Sequence, residues 1–195
     1  MKLLLHVCCG PCAAWPAREL LEQGHDLIGF FFNPNIHPYH EHQRRLDAAQ
    51  ELARRSEFPL LISEGYRPEL YFRDVAFHED ESERCCFCYT LRLQKAAVKA
   101  RETGCEGFTT SLLISPYQKH DLICAIGTWI GEQSGVPFIH YDWRPAYHDG
   151  RRVAREMGLY SQRYCGCIFS EYERFRDTRP ARSPSRASRE ERKHG

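Results

Sequence analysis

The chain has 195 residues, 42% of them hydrophobic and 27% charged, the make-up of one soluble globular domain with a substantial core. No apolar run approaches the ~20 residues a membrane helix needs, and the start Leu3-Leu4-Leu5 breaks at His6, so neither a membrane span nor an export signal is expected. Net charge is +1 but uneven: from Arg174 onward seven Arg and one Lys face one Asp and two Glu, leaving a mildly acidic body.

In chain order, Lys2–Val7 reads as a short buried strand and Pro11–Gln23 as a helix closed by Gly24. Asp26–Phe32 is a second strand, and the two prolines of Asn33–Tyr39 make a loop. Leu46, Ala49, Leu52 and Ala53 give His40–Arg55 a helical period. Phe58–Ser63 is a third strand, followed by a helical stretch around Glu69–Phe77. Tyr89–Thr103 is strongly helical and stops at Gly104. Gly107–Ser111 is a fourth strand, His120–Ser134 a helix, Val136–Tyr141 a fifth strand. Helices around Arg151–Met157 and from Ser170 complete the body. Strands alternating with helices predict a single α/β domain over residues 1–176, a parallel sheet with helices on both faces. Pro, Ser and Arg dominate from about Asp177, so residues 177–195 read as a basic, disordered tail.

The cysteines need a chemical reason. Eight of the ten fall in three tight groups: Cys8-Cys9 with Cys12, Cys85-Cys86 with Cys88, and Cys165-Gly166-Cys167. Without an export signal such groups point to a reducing cytoplasm, where they bind metal or carry electrons more often than they staple loops. Cys8 and Cys9 lie at the carboxyl edge of the first strand and at a helix start, where backbone N–H groups favour a thiolate. Thr109-Thr110-Ser111 and Tyr141-Asp142-Trp143 are expected at that edge too. Cys8 and Cys9 with Cys85 and Cys88 supply four thiolates, enough for an iron–sulfur cluster or a structural zinc site. Cys165-Gly166-Cys167 suits a strained, easily reduced disulfide, two further ligands or two inert thiols. Cys86 is expected to point away from its neighbours' site, and Cys105 and Cys124 to pack as small apolar residues. His6 is either a thiolate's neighbour or a satisfied core histidine. Arg84, Tyr89 and Arg92 flank the second group and suit an anionic cluster or a phosphate. Tyr117, His120 and Asp121 open a helix, and His37, His40 and His42 are expected to face solvent.

These residues resemble one family, the epoxyqueuosine reductases of the QueH type, which lack cobalamin. The resemblance rests on His6-Val7-Cys8-Cys9-Gly10-Pro11-Cys12, on Arg84-Cys85-x-x-Cys88-Tyr89-x-x-Arg92-Leu93, on Phe108 through Gln118, and on Gly158 through Ser170. It implies a Rossmann-like fold of the HUP class and reduction of epoxyqueuosine to queuosine at the tRNA wobble position. Carried over by position, it implies Cys8, Cys9, Cys85 and Cys88 as ligands of a 4Fe-4S cluster. Cys165 and Cys167 match a redox-active disulfide, and Cys12 a ligand of an adjacent iron ion. The implied partners are tRNA carrying epoxyqueuosine and an unidentified electron donor. Arg44, Arg45, Arg151, Arg152 and Arg155 offer a basic surface for its phosphates. Two rival readings are an ATP-using tRNA-modifying HUP enzyme and a zinc-stabilised RNA-binding module. The first lacks a Ser/Gly-rich phosphate loop after strand one, where Cys-Cys-Gly-Pro-Cys stands instead.

Overall fold

The computed structural model describes residues 1–177. The expected basic tail falls, from residue 178 on, outside the described residues. Among those residues no helix is long and apolar enough to cross a membrane.

Strand β1 (Lys2–His6) carries Leu3, Leu4 and Leu5, all fully buried, so both faces of the strand are covered. It pairs in parallel with β2 (Asp26–Phe31) on one side and β4 (Gly107–Thr110) on the other. Strand β3 (Leu60–Ile62) pairs with β2, giving a four-stranded parallel sheet of order β3-β2-β1-β4. The expected α/β, Rossmann-like arrangement is therefore present. The chain steps outward from β1 to β3 through α1 (Gly10–Glu22) and α2 (Tyr39–Arg55). It then returns across the sheet to β4 through α3 (Pro68–Val75) and α4 (Glu81–Glu102). Right-handed crossovers put the outward pair on one face and the return on the other. The packing agrees: α1 lies against α2 and α6 (Tyr147–Glu156), and α4 against α3 and α5 (His120–Ser134). A last helix, α7 (Ile168–Phe175), closes the described chain. The reversal of direction lies between β1 and β4, where open parallel sheets bind ligands.

Three expected elements differ. Helix α4 starts at Glu81 rather than Tyr89, so the second cysteine group is helical. Its buried stripe runs Arg84, Cys88, Arg92, Ala96, Ala100, and polar residues at its start hide the apolar period. Val136–Tyr141 makes only one parallel bridge, Phe108 with Phe138. Pro137 accepts from Phe108 N–H at 3.0 Å but has no N–H to extend a ladder. Helix α6 begins four residues before Arg151, at Tyr147.

Gly10 sets how closely α1 approaches α2. A Cβ there would sit 2.5 Å from the Ala48 carbonyl oxygen and 2.7 Å from its carbon, backbone atoms that cannot step aside. Gly10→Ala is expected to destabilise the protein by about 1–3 kcal/mol. Urea unfolding should show a lower midpoint at unchanged slope; an unchanged midpoint would refute the close-approach argument.

Candidate metal and redox site

Cys8 follows β1, and Cys9 is the extended residue that caps α1 without using its side chain as a cap. Cys12 is one turn into the helix. The Sγ atoms of Cys8, Cys9 and Cys12 all lie within 4.8 Å of one another, the close donor group found among the described residues. Thiols of Cys12 and Cys9 and the Ser111 hydroxyl stabilise a Cys8 thiolate, holding it well below the usual thiol range. Ser111 accepts from Cys8 N–H at 3.0 Å and its hydroxyl lies 3.3 Å from Cys8 Sγ. Burial pushes Cys9 up, while hydrogen bonding to Cys8 pushes Cys12 up. Gln162 Nε2 donates to Cys9 Sγ at 3.0 Å and Cys12 Sγ at 3.1 Å.

Four further thiols line a recess of about 210 Å³: Cys85 and Cys88 from α4, Cys165 and Cys167 from the segment before α7. Three-residue spacing puts Cys85 and Cys88 on one helical face, and Cys86 does not line the recess. Burial raises Cys85 to about 11 and Cys88 to about 12. Cys165 is exposed, whereas Cys167 is buried beside Tyr71, Val75 and Cys88. Gln118 Nε2 lies 3.3 Å from Cys165 Sγ, and Ser170 N–H caps Cys167 Sγ at 3.4 Å.

Arg92 joins the two thiol groups. It is 2% exposed, yet only its Nε has a partner, the Cys88 carbonyl at 3.0 Å, and its buried Nη2 has none. Burial works against its charge, but Cys88 and Cys165, with Tyr89 and Cys8, more than offset this and hold it protonated.

A second buried guanidinium fixes the last cysteine segment. Arg45 bonds Glu41 at 2.8 Å and donates to the carbonyls of Cys165 at 2.7 Å and Tyr164 at 3.0 Å. Tyr160 OH donates to the same Glu41 at 2.6 Å, and Tyr164 OH to the His37 carbonyl. Gly166 has φ +151, and a Cβ there would crowd Asn35, Ile36 and Arg45, so the bend requires glycine.

The other expectations meet mixed outcomes. His6 is a satisfied core histidine: Nε2–H donates to the Phe32 carbonyl at 3.2 Å, which leaves Nδ1 to accept from Thr110 OH at 2.9 Å. Burial lowers it to about 4, so the ring is neutral. Tyr141-Asp142-Trp143 does not join the recess; Asp142 pairs with Arg144, and Trp143 Nε1 bonds Glu19 on α1. Arg45 is buried and paired, and Arg152 is held by Asp149 and Glu156, so neither is a free phosphate binder. His120 and Asp121 do not line the recess, although Tyr117 does. Arg84 ties α4 to α7 through Glu173 at 2.6 Å. Cys105 is buried and Cys124 half-buried, as expected of packing residues. Gln118, Gln162 and Glu41 escaped the reading of the sequence, because an amide or carboxylate outside a metal pattern carries no spacing signal.

The family model for epoxyqueuosine reductase QueH matches residues 3–173. This chain belongs to that family. Among curated relatives, the epoxyqueuosine reductase QueH of Dehalococcoides mccartyi is 42% identical, over 89% of this chain and 94% of the relative. That of Thermotoga maritima is 35% identical over 88% and 91%, and that of Acinetobacter baylyi 35% over 87% and 80%. The chain is accordingly an oxidoreductase.

Two histidines, His37 and His42, contradict their expected exposure. His37 stacks on Phe72 with centroids 4.6 Å apart, and His42 packs on Phe31 and Tyr66. Both are buried, and burial lowers each from 6.5 to about 4. Between those values the unfolded chain binds more protons, so stability is full above pH 6.5 and falls as pH drops toward 4. Thermal melts across this range should show that acid limb, and it should be shallower in His42→Phe, which keeps the ring contacts. An identical limb in the variant would remove His42 from the account.

Proposed function

We propose that this chain reduces epoxyqueuosine to queuosine at the wobble position of tRNA anticodons, with residues 1–176 acting as one reductase domain. Family membership supports epoxyqueuosine reduction. The finer reading rests chiefly on Arg92, a buried cation with an unpartnered Nη2 that lines the recess with Cys88 and Cys165 and is electrostatically coupled to both and to Cys8. An uncompensated buried charge is costly, so this site suits an anionic occupant among thiolates.

On this reading Cys8, Cys9, Cys85 and Cys88 hold a 4Fe-4S cluster, and Cys12 holds an adjacent iron ion. The donor set fits, since thiolates select iron–sulfur clusters or zinc. A cluster of this kind supplies one-electron transfers when bound. Cobalamin has no part in the reading.

The chain's own residues do the rest. Closing the Cys165/Cys167 dithiol to a disulfide releases two electrons and two protons, the amounts that turn an epoxide into an alkene and water. Gly166 permits the tight bend between them, and Arg45 holds the Cys165 carbonyl. Gln118 presents an N–H to Cys165, and Ser170 N–H donates to Cys167 Sγ. An external electron donor, outside this chain, then reopens the pair. A tRNA substrate and a reduced thiol site both suit the cytoplasm.

The test is anaerobic purification, reconstitution with iron and sulfide, and turnover of tRNA bearing epoxyqueuosine. Wild type should show iron and sulfide in similar amounts, a broad visible absorbance and conversion to queuosine. Cys88→Ala should lose absorbance and turnover together. Cys167→Ser should keep the absorbance and lose repeated turnover. Zinc alone after reconstitution would overturn the cluster reading in favour of a structural metal.

A further inference from the structure

Tyr117 has no role in the chemistry above, yet it is 81% exposed at the mouth of the thiol-lined recess. Its loop is firmly anchored. Tyr117 N–H bonds Ser115 Oγ at 3.3 Å, and Gln118 N–H bonds the Ser115 carbonyl at 3.2 Å. Gln118 Oε1 accepts from Tyr89 OH at 2.9 Å, while its amide nitrogen reaches Cys165. Consecutive residues thus point to opposite ends of one path, Gln118 to the sulfur and Tyr117 to solvent. Outside, Tyr117 meets Tyr147 edge to face, with centroids 5.8 Å apart and planes at 81°. Arg151 stands over Tyr147 at 6.0 Å and makes no ion pair among the described residues. Its neighbour Arg152 is, by contrast, neutralised by Asp149 and Glu156.

An anchored aromatic ring, open on its face, with an unpaired guanidinium one ring away, is the chemistry that receives a nucleobase and its phosphate. Resting on the tRNA reading above, we infer that Tyr117, Tyr147 and Arg151 form a stacking platform for an anticodon-loop base flanking the modified nucleotide. Tyr117 takes the base face, Tyr147 buttresses it, and Arg151 takes the phosphate. The platform holds the neighbour while the modified base enters the recess. A single-stranded loop offers such a base, because its bases are free to unstack.

The probe is an anticodon stem–loop RNA with 2-aminopurine beside the wobble position, titrated with the full chain. Wild type should quench the fluorophore on binding. Tyr117→Ala should abolish the quench and weaken binding about 5- to 150-fold, and Tyr117→Phe should keep both. Arg151→Ala should flatten the slope of log affinity against log salt by about 0.7, one single-strand phosphate contact. Trp129→Ala, which removes another exposed aromatic, should change nothing. Quenching or near-wild-type affinity in Tyr117→Ala would refute the platform while leaving tRNA binding intact. No binding by wild type at low salt would bring down the tRNA reading and the platform with it.

Discussion

The organising constraint is a charge that the fold buries without a counter-charge of its own. Arg92 sits inside the molecule with Nη2 unpartnered, and the groups facing it are thiols and a phenol rather than carboxylates. A guanidinium cannot shed its proton to escape this position, since its pKa lies above 12. The compensation must come from thiolates or from what they bind. Arginine here works against burial, which raises Cys88 and Cys165, and pulls both thiols back toward the thiolate. The charge also reaches Cys8, so one side chain biases thiols contributed by two distant segments.

The parallel sheet makes that convergence possible. Every strand delivers its following turn to the same edge, and the reversal between β1 and β4 leaves a gap there. Cys8 arrives from β1 and Ser111 from the end of β4, while α4 carries Cys88 and Arg92 down the same flank. The segment before α7 then crosses back, fixed by Glu41 and Arg45 of α2 and by Glu173 to Arg84 of α4. Its cysteines owe their place to hydrogen bonds with two helices on opposite faces, not to a strand.

What could be read from the sequence follows this division. β1, β2 and the helices His40–Arg55 and His120–Ser134 carry dense apolar periods, and the structure has elements there. The thiol groups were legible because cysteines cluster for chemical reasons. The start of α4 was hidden because its inward face begins with Arg84 and Cys88, which look polar when the burial that makes them inward is unknown. His37 and His42 misled for the complementary reason, since they sit on aromatic faces supplied by Phe72, Phe31 and Tyr66, and one of these partners lies some 35 residues away. Pro137 marked the failed fifth strand openly; the apolar residues around it outweighed the missing donor.

The two buried arginines show how one residue type serves opposite ends. Arg45 spends its donors on Glu41 and on two carbonyls, so it orders backbone and leaves little charge unanswered. Arg92 commits one donor and keeps its charge available. Cys165 lies under the influence of both: its carbonyl is fixed by Arg45, while its sulfur faces Arg92 and the Gln118 amide. A residue so held can be exposed without being loose. Cys167, one glycine further on, is buried against Cys88 and capped by α7. The bend at Gly166 thus separates a residue exposed at the surface from one buried beside the interior thiols.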